Sequence, residues 1–195
     1  RSKYRDTFEN AHGVRLGFMS FFTKAAVEAL KKFPVVNASV EGTDIVYHNY
    51  YDIGIAVSSD RGLMVPVIRD TDRKSVLQIA AEIEDFADRA RAGKIEVGEL
   101  RGGTFTITNG GAMGGGYFAP IINFPEVAIM GMGQGRLQPA VIDKGDGEHE
   151  IAPRLIMPIV LCIDHRVLDG ADAIKFLKTV IDALEDPDEL LISMI

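Results

Sequence analysis

The sequence predicts a single α/β domain. A chain of 195 residues has the length of one domain and buries roughly two thirds of the surface that it exposes when unfolded. Amphipathic helical stretches at 18–33, 75–93 and 171–185 alternate with short runs rich in β-branched residues. Hydrophobic residues make up 47% of the chain, as is typical of a globular protein.

The first predicted helix covers residues 18–33, and Pro34 is expected to end it because proline interrupts the helical hydrogen bonds. Its periodicity separates an apolar stripe from a polar one. The apolar stripe comprises Phe18, Phe22, Ala25, Ala29 and Phe33. The polar stripe comprises Lys24, Glu28, Lys31 and Lys32. Two short strands are predicted next, within 35–48, across the turn signal Glu41-Gly42-Thr43.

Two strands are then predicted at 51–58 and 62–68. Pro66 indicates an edge position or a bulge in the second strand, because proline cannot donate to a β-ladder. In the long helix that follows, Ser75 and Gln78 have the spacing of a capping box, and Gly93 is the expected end. Its buried stripe is predicted to comprise Val76, Ile79, Ala80, Ile83, Phe86 and Ala90.

The second half of the chain is predicted to contain three strands before the last one. These are Thr104–Thr108, which runs into the turn signal Asn109-Gly110-Gly111, then Val127–Met132 and Leu137–Ile142. The last predicted helix, at 171–185, stops before Pro187. The apolar tail at 190–195 needs a cover, which a neighbouring subunit could provide.

The most informative stretch surrounds the last predicted strand. Ile159–Ile163 is an unbroken apolar run, too short for a helix, and is predicted to be a strand buried on both faces. His165 follows directly, between Asp164 and Arg166. Imidazole exchanges protons near neutral pH, and the apolar strand would shield one side of the ring, so His165 is a candidate general base. The alternative is a structural histidine followed by Asp169 as a helix N-cap; spacing alone leaves both interpretations open.

Charge and cysteine content exclude some classes of function. The net charge of −7 disfavours nucleic acid as a partner, because phosphate binding needs a concentrated basic surface. A single cysteine, Cys162, cannot form an internal disulfide, which fits a reducing compartment. Its apolar strand predicts a packed thiol instead of a nucleophile. No run reaches the roughly 18 apolar residues of a membrane-spanning helix.

Four sequence blocks carry a resemblance to a known family. HRVLDG at 165–170 is an instance of the HxxxDG signature of the chloramphenicol acetyltransferase-like acyltransferases. The other blocks are GLMVPVIRD at 62–70, GGTFTITNGG at 102–111 and PIINFPEVAIMG at 120–131. In this order, the blocks resemble the catalytic domain of the dihydrolipoamide acyltransferases, the core component of 2-oxo acid dehydrogenase complexes.

The resemblance implies a chloramphenicol acetyltransferase-like fold, in which a mixed β-sheet flanked by helices forms a two-layer sandwich. It extends from about Leu16 to the C-terminus. It also implies that residues 1–195 are an N-terminally incomplete catalytic domain without the lipoyl and peripheral-subunit-binding domains. The charged first residues, which lack an initiating methionine, agree with a cut within a longer protein.

The resemblance further implies reversible acyl transfer between a dihydrolipoyl thiol and coenzyme A, without a metal, the lipoyl group residing on a domain outside this chain. His165 matches the general base, and Thr108 matches the hydroxyl that donates a hydrogen bond to the tetrahedral intermediate. Asp169 matches the aspartate that holds the histidine loop by pairing with an arginine, usually from the absent N-terminal portion.

The implied assembly is a homotrimer in which Thr108 of one chain faces His165 of the next. Such trimers would form a larger shell that binds the decarboxylase and dihydrolipoamide dehydrogenase components. The implied location is the bacterial cytoplasm or the mitochondrial matrix.

A candidate site for coenzyme A precedes the long helix at 75–93. Arg73, Lys74 and Ser75 place two cations and a hydroxyl at the helix N-terminus, where backbone N–H groups also attract phosphate. The alternative interpretation is a solvated turn.

The acyl group is predicted to be succinyl. FTITNGG at 105–111 and the segments at 16–34 and 46–52 resemble the succinyltransferases of 2-oxoglutarate dehydrogenase, whereas 123–133 and 164–171 resemble the acetyl or branched-chain members. A non-catalytic core scaffold that binds partner enzymes is disfavoured because both His165 and Thr108 are present. A free-standing acetyltransferase is disfavoured by the blocks at 65–70 and 120–131.

Three other patterns suggest a ligand site, but each lacks a feature that such a site requires. The glycines at 110–116 are not followed by the Gly-Lys-Ser/Thr ending of a phosphate loop, and GMGQGR at 131–136 has the wrong spacing for a dinucleotide-binding turn. His149 lies between two glutamates, but with no second histidine or cysteine nearby it predicts a solvated loop and not a metal site.

Overall fold

The computed structural model describes residues 5–59, 62–145 and 147–186. The helices in this part of the chain are α1 (Arg5–His12), α2 (Phe18–Lys32), α3 (Val76–Arg91) and α4 (Gly170–Glu185). The strands are β1 (Ala38–Glu41), β2 (Asp44–Tyr47), β3 (Ile53–Ile55), β4 (Val57–Ser59), β5 (Gly62–Met64), β6 (Val67–Ile68), β7 (Phe105–Asn109), β8 (Ala128–Met132), β9 (Arg136–Gly145), β10 (Glu148–Ile156) and β11 (Ile159–Ile163).

The central sheet has five strands in the order β11-β8-β7-β3-β6. The three inner strands are parallel to one another, and the two edge strands, β6 and β11, are antiparallel to their neighbours. The remaining strands form three two-stranded hairpins, β1–β2, β4–β5 and β9–β10. The predicted mixed sheet is therefore confirmed.

The core lies between the sheet and the helices. Phe176 of α4 packs against Phe105 of β7, with ring centroids 5.6 Å apart, and against Phe33 at 6.3 Å. Helix α2 packs against both α3 and α4. The largest fully buried side chains are Phe105, Phe176, Leu30, Ile53, Ile55, Ile68, Ile79, Ile107, Met130, Met132, Leu168 and Val27.

Helix α2 confirms the predicted helix but corrects one of its faces. The structure buries Phe22, Ala25 and Ala29 as expected, whereas Phe18 is 40% exposed. Lys24, expected on the polar stripe, is buried because its ammonium donates to two backbone carbonyl oxygens of the turn before α3, at 2.9 and 3.0 Å. Burial lowers the pKa of Lys24.

The two strands predicted at 51–68 are each broken in two. The first divides at Ala56 into β3 and β4, and the second divides at Pro66 into β5 and β6. Pro66 contributes its carbonyl oxygen to Ile55 N–H at 2.9 Å but has no N–H to donate. Pro66 lies in the break directly before β6, an outer strand of the central sheet, which agrees with the predicted edge position or bulge.

The predicted helix boundaries at α3 and the first hairpin are confirmed. Ser75 Oγ accepts from Gln78 N–H, and Gln78 Oε1 accepts from Ser75 N–H, which completes the capping box. Gly93 follows the helix with φ +66°, and Gly42 turns the β1–β2 hairpin with φ +62°, a region that favours glycine.

Two predictions about the last strands were wrong. Strand β9 continues beyond its predicted end and reaches Gly145. Strand β10, which contains Pro153, was not predicted because its first residues are polar. Ile159–Ile163 forms β11 as predicted, but it is half-buried along its length because it is an edge strand of the sheet. The final helix is confirmed as α4, and the predicted apolar tail at 190–195 lies outside the described residues.

Candidate active site

His165 lies on an exposed turn directly after β11. Asp164 N–H continues the ladder by donating to Val127 O at 2.8 Å, and Asp164 O then accepts from Val167 N–H and Leu168 N–H. Leu168 is 1% exposed, so it anchors the turn in the core. The backbone therefore fixes the turn, but the apolar strand does not shield the imidazole within one chain, contrary to the prediction.

An ion pair within the turn adds a second constraint. The Asp164 carboxylate accepts from Arg166 N–H at 3.0 Å and from the Arg166 guanidinium, with the closest contact at 2.6 Å. These hydrogen bonds from Arg166 hold the pKa of Asp164 below its ordinary value. The two residues that flank His165 therefore bind each other.

Asp169 caps helix α4. Its Oδ1 accepts from Ala171 N–H at 2.8 Å and from Asp172 N–H at 2.9 Å. The hydrogen bond from Asp172, followed by that from Ala171 and the charges of Lys175 and His165, holds the pKa of Asp169 below its ordinary value. Among the described residues no arginine pairs with Asp169, so the arginine partner implied by the resemblance is absent from this part of the chain.

Thr108 is half-buried near the end of β7, and its hydroxyl has no hydrogen-bond partner among the described residues. Its pairing partner is Gly131, one residue from the end of β8, whereas the partner of Ile163 is Ala128, the first residue of β8. Thr108 and Ile163 are therefore offset by three residues along the strand direction and are two strands apart across the sheet. This offset corresponds to roughly 14 Å between their Cα atoms. His165 lies beyond Ile163, so one chain does not bring His165 and Thr108 together.

The proposed coenzyme A residues are largely engaged within the chain. Lys74 Nζ forms an ion pair with Glu82, and Ser75 Oγ serves in the capping box of α3. Arg73 is exposed and has no ion pair with any other residue in 5–59, 62–145 or 147–186. Of the side chains of Arg73, Lys74 and Ser75, the Arg73 guanidinium is therefore the one available to bind a phosphate.

A buried carboxyl beside Thr106 was not predicted from the sequence. Glu126 Oε1 accepts from Thr106 Oγ1 at 2.9 Å and from Asn123 Nδ2 at 3.3 Å. Glu126 Oε2 and Ser39 Oγ are buried and lack a hydrogen-bond partner within the described part of the chain. Burial raises the pKa of Glu126 to about 7, although the two hydrogen bonds oppose the shift. A lone carboxyl at the start of the apolar β8 run was the available signal.

A close backbone contact between glycines was also not predicted from the sequence. A Cβ on Gly133 would collide with Gly116 O, and a Cβ on Gly111 would lie 2.5 Å from Gly133 O. Gln134 N–H donates to Gly115 O at 2.7 Å. The segment after Thr108 therefore packs backbone to backbone against the connection between β8 and β9.

The remaining sequence candidates do not add to this site. Cys162 is half-buried in β11, and burial raises the pKa of its thiol, as expected for a packed cysteine. His149 is exposed on β10, and no group of three or more histidine, cysteine, aspartate or glutamate side chains in the described residues could hold a metal. No helix in the same residues is long and apolar enough to cross a membrane.

Comparison with known proteins identifies the fold and the family of the chain. A chloramphenicol acetyltransferase shares the fold with a TM-score of 0.54 and 20% identity, over 91% of this chain and 81% of that one. The model of the family "2-oxoacid dehydrogenases acyltransferase (catalytic domain)" matches residues 1–192. The chain belongs to this family, which confirms the resemblance.

Relatives of both acyl types are similar to the chain. The succinyltransferase component of the 2-oxoglutarate dehydrogenase complex from Azotobacter vinelandii is 52% identical over 195 residues, all of this chain and 48% of the relative. A probable dihydrolipoamide acetyltransferase from Listeria monocytogenes has a TM-score of 0.89 and 38% identity, over 95% of this chain and 77% of that one. The cubic core of a pyruvate dehydrogenase multienzyme complex has a TM-score of 0.88 and 38% identity, over 97% and 78%. The chain spans about half the length of the curated relatives it matches.

Proposed function

We propose that this domain transfers a succinyl group between a dihydrolipoyl thiol and the thiol of coenzyme A. The observation that carries the proposal is the exposed His165 turn, which the Asp164–Arg166 ion pair and the Asp169 helix cap hold in place. The 52% identity to a protein named as a succinyltransferase supports the succinyl group. Acetyl is the second candidate, because solved acetyltransferases also match nearly the whole chain.

In the proposed reaction, a ring nitrogen of His165 accepts the proton of the incoming thiol. The thiolate attacks the thioester carbonyl carbon, and the Thr108 hydroxyl of a second copy donates a hydrogen bond to the oxyanion. The intermediate expels the other thiolate, which recovers the proton from the imidazolium, so no acyl-enzyme forms. A free thiol and a free imidazole have ordinary pKa values of about 8.5 and 6.5, so the proton transfer costs roughly 2.7 kcal/mol.

Asp169 is proposed as a positioning residue. By capping α4, its carboxylate fixes the start of the helix four residues after His165. Its negative charge also lies where it favours an imidazolium during the reaction. The arginine implied by the resemblance would add a further constraint from another part of the protein.

For coenzyme A we retain Arg73, Lys74 and Ser75 as contacts, with Arg73 as the principal phosphate ligand. The strand pairing supports this assignment. Ile53 pairs with Ile68 on one side and with Phe105 on the other, at the end of the sheet from which His165 extends. Arg73 follows β6 at that end, four strands from β11, or roughly 19 Å across the sheet. A phosphate bound there would have to compete with Glu82 for Lys74.

The proposed assembly is a homotrimer within a larger shell, bound by the decarboxylase and dihydrolipoamide dehydrogenase components. The separation of Thr108 from His165 supports it, because a second copy is needed to complete each site. The β9–β10 hairpin exposes Leu137, Val141 and Ile151, which a neighbouring chain would cover. A reducing compartment, the bacterial cytoplasm or the mitochondrial matrix, is the proposed location.

Turnover by His165→Ala tests the proposal. With dihydrolipoamide and succinyl-coenzyme A, His165→Ala should lower kcat about 10²- to 10⁴-fold, and Thr108→Val should lower it about 10²- to 10³-fold. His149→Ala is the matched control, because His149 is also exposed but lies on β10. Near-normal turnover by a folded His165→Ala protein would contradict the role of the histidine. Comparing acetyl- and isobutyryl-coenzyme A in the same assay decides between the acyl groups.

A further inference from the structure

Arg136 lies just beyond the end of the sheet that carries Thr108. Thr108 is paired with Gly131, β8 ends one residue later, and Arg136 opens β9 after a three-residue connection. That connection is held to the segment after Thr108 by Gln134 N–H, which donates to Gly115 O at 2.7 Å. Arg136 is five positions after Gly131, at most roughly 16 Å of extended backbone.

One hydrogen bond orients the guanidinium of Arg136, and no carboxylate among the described residues binds it. Its Nε donates to Gln134 Oε1 at 3.0 Å, which ties the side chain to the connection between β8 and β9. The two terminal nitrogens have no hydrogen-bond or ion-pair partner among the described residues. A guanidinium with both terminal nitrogens free matches a carboxylate in bidentate geometry.

Most of the other described arginines are committed to carboxylates. The arginines in ion pairs are Arg15, Arg69, Arg89, Arg91 and Arg166. Of those without an ion pair in the described residues, Arg73 and Arg101 lie at the other end of the sheet, next to β6 and the start of β7. Arg154 faces Gln138 in the hairpin ladder, two residues further out than Arg136. Among Arg73, Arg101, Arg136 and Arg154, Arg136 therefore lies nearest to Thr108 along the strands.

A succinyl thioester differs from an acetyl thioester by a carboxylate two methylene groups beyond the reacting carbonyl. A carboxylate that leaves water needs a cation or several donors to offset its desolvation. Resting on the proposed function, we propose that Arg136 binds the distal carboxylate of the succinyl group and sets the preference for succinyl over acetyl. Gln134 acts as a positioning residue that holds the guanidinium through the hydrogen bond to its Nε.

The test uses the whole chain, with dihydrolipoamide as acceptor and succinyl- and acetyl-coenzyme A as donors. Arg136→Gln should lower kcat/KM for the succinyl donor about 10- to 100-fold, the loss typical of a charge-assisted hydrogen bond. It should leave kcat/KM for the acetyl donor within about twofold, since that donor makes no such bond. Arg136→Lys should recover part of the succinyl activity, because it keeps the charge but not the bidentate geometry. Arg154→Gln, on the same hairpin, should change neither value.

If Arg136→Gln leaves the ratio of kcat/KM for the succinyl donor to kcat/KM for the acetyl donor unchanged, the assignment of Arg136 is wrong. Because the side chain is exposed, neither variant removes a core contact, and Arg136→Lys provides the ratio even if Arg136→Gln assembles poorly. The proposed function fails separately, if the unaltered protein transfers neither acyl group.

Discussion

Thr108 in β7 and His165 on the turn after β11 lie at opposite ends of one five-stranded sheet, and β8 lies between these two strands. The pairing register fixes this relationship, because a change would require β7 or β11 to slip by several residues and lose its buried partners. A single chain therefore does not bring the two side chains together. An acyl transfer that uses both side chains requires two copies of the chain.

The buried Glu126 predicts an unusual dependence of stability on pH. Its pKa is raised from 4.5 to about 7 in the folded protein by burial. Below pH 4.5 the carboxyl is neutral in both states, and between 4.5 and 7 mainly the unfolded chain ionises. The free energy of unfolding should therefore fall by roughly 3 kcal/mol as the pH rises from about 4.5 to 7.

Glu126→Gln should remove this loss, as measured by denaturant unfolding at pH 5 and pH 8. Glu148→Gln, which changes an exposed carboxyl on the hairpin, should behave like the unaltered protein. The account of Glu126 is wrong if Glu126→Gln loses as much stability between these pH values as the unaltered protein does.

Gly133 is predicted to tolerate no side chain. A Cβ at this position would collide with Gly116 O, so Gly133→Ala should displace the segment after Thr108 and cost about 1 to 3 kcal/mol of stability. The matched control is Gly116→Ala, because a Cβ there meets nothing within 4 Å. Thermal unfolding of both variants checks this, and equal stability of the two would show that the backbone contact is not as tight as described.

Asp169 is predicted to act on His165 through the helix cap. Asp169→Ala removes acceptors for Ala171 N–H and Asp172 N–H and should lower the melting temperature by about 2 to 4 °C and reduce kcat. Asp169→Asn keeps a cap and should restore the melting temperature. Wild-type kcat in Asp169→Ala would argue that the cap has no part in positioning the histidine.

Local features of the fold could be predicted from the sequence because they depend on neighbouring residues. The capping box of Ser75 and Gln78, the break at Pro66 and the strand before His165 each follow from spacing or from the chemistry of one residue. Their positions in the sheet could not be predicted. Strand order depends on pairings between distant segments, so β11 was expected to be buried on both faces and proved to be a half-buried edge strand.

The candidate site, like the fold, could be predicted from the sequence only in part. The sequence blocks named His165, Thr108 and Asp169 as candidates, whereas the distance between Thr108 and His165 depends on register and had to come from the structure. The burial of Lys24 and Glu126 was missed because each polar group is stabilised by partners far away in the sequence, the carbonyls before α3 and the hydroxyl of Thr106.

Activity after mixing two inactive variants tests the shared site most directly. His165→Ala and Thr108→Val proteins, combined in equal amounts under conditions of verified subunit exchange, should recover about one quarter of wild-type turnover, because one in four boundaries then pairs an intact histidine with an intact threonine. Turnover that stays at the level of the separate variants would contradict a site built from two chains.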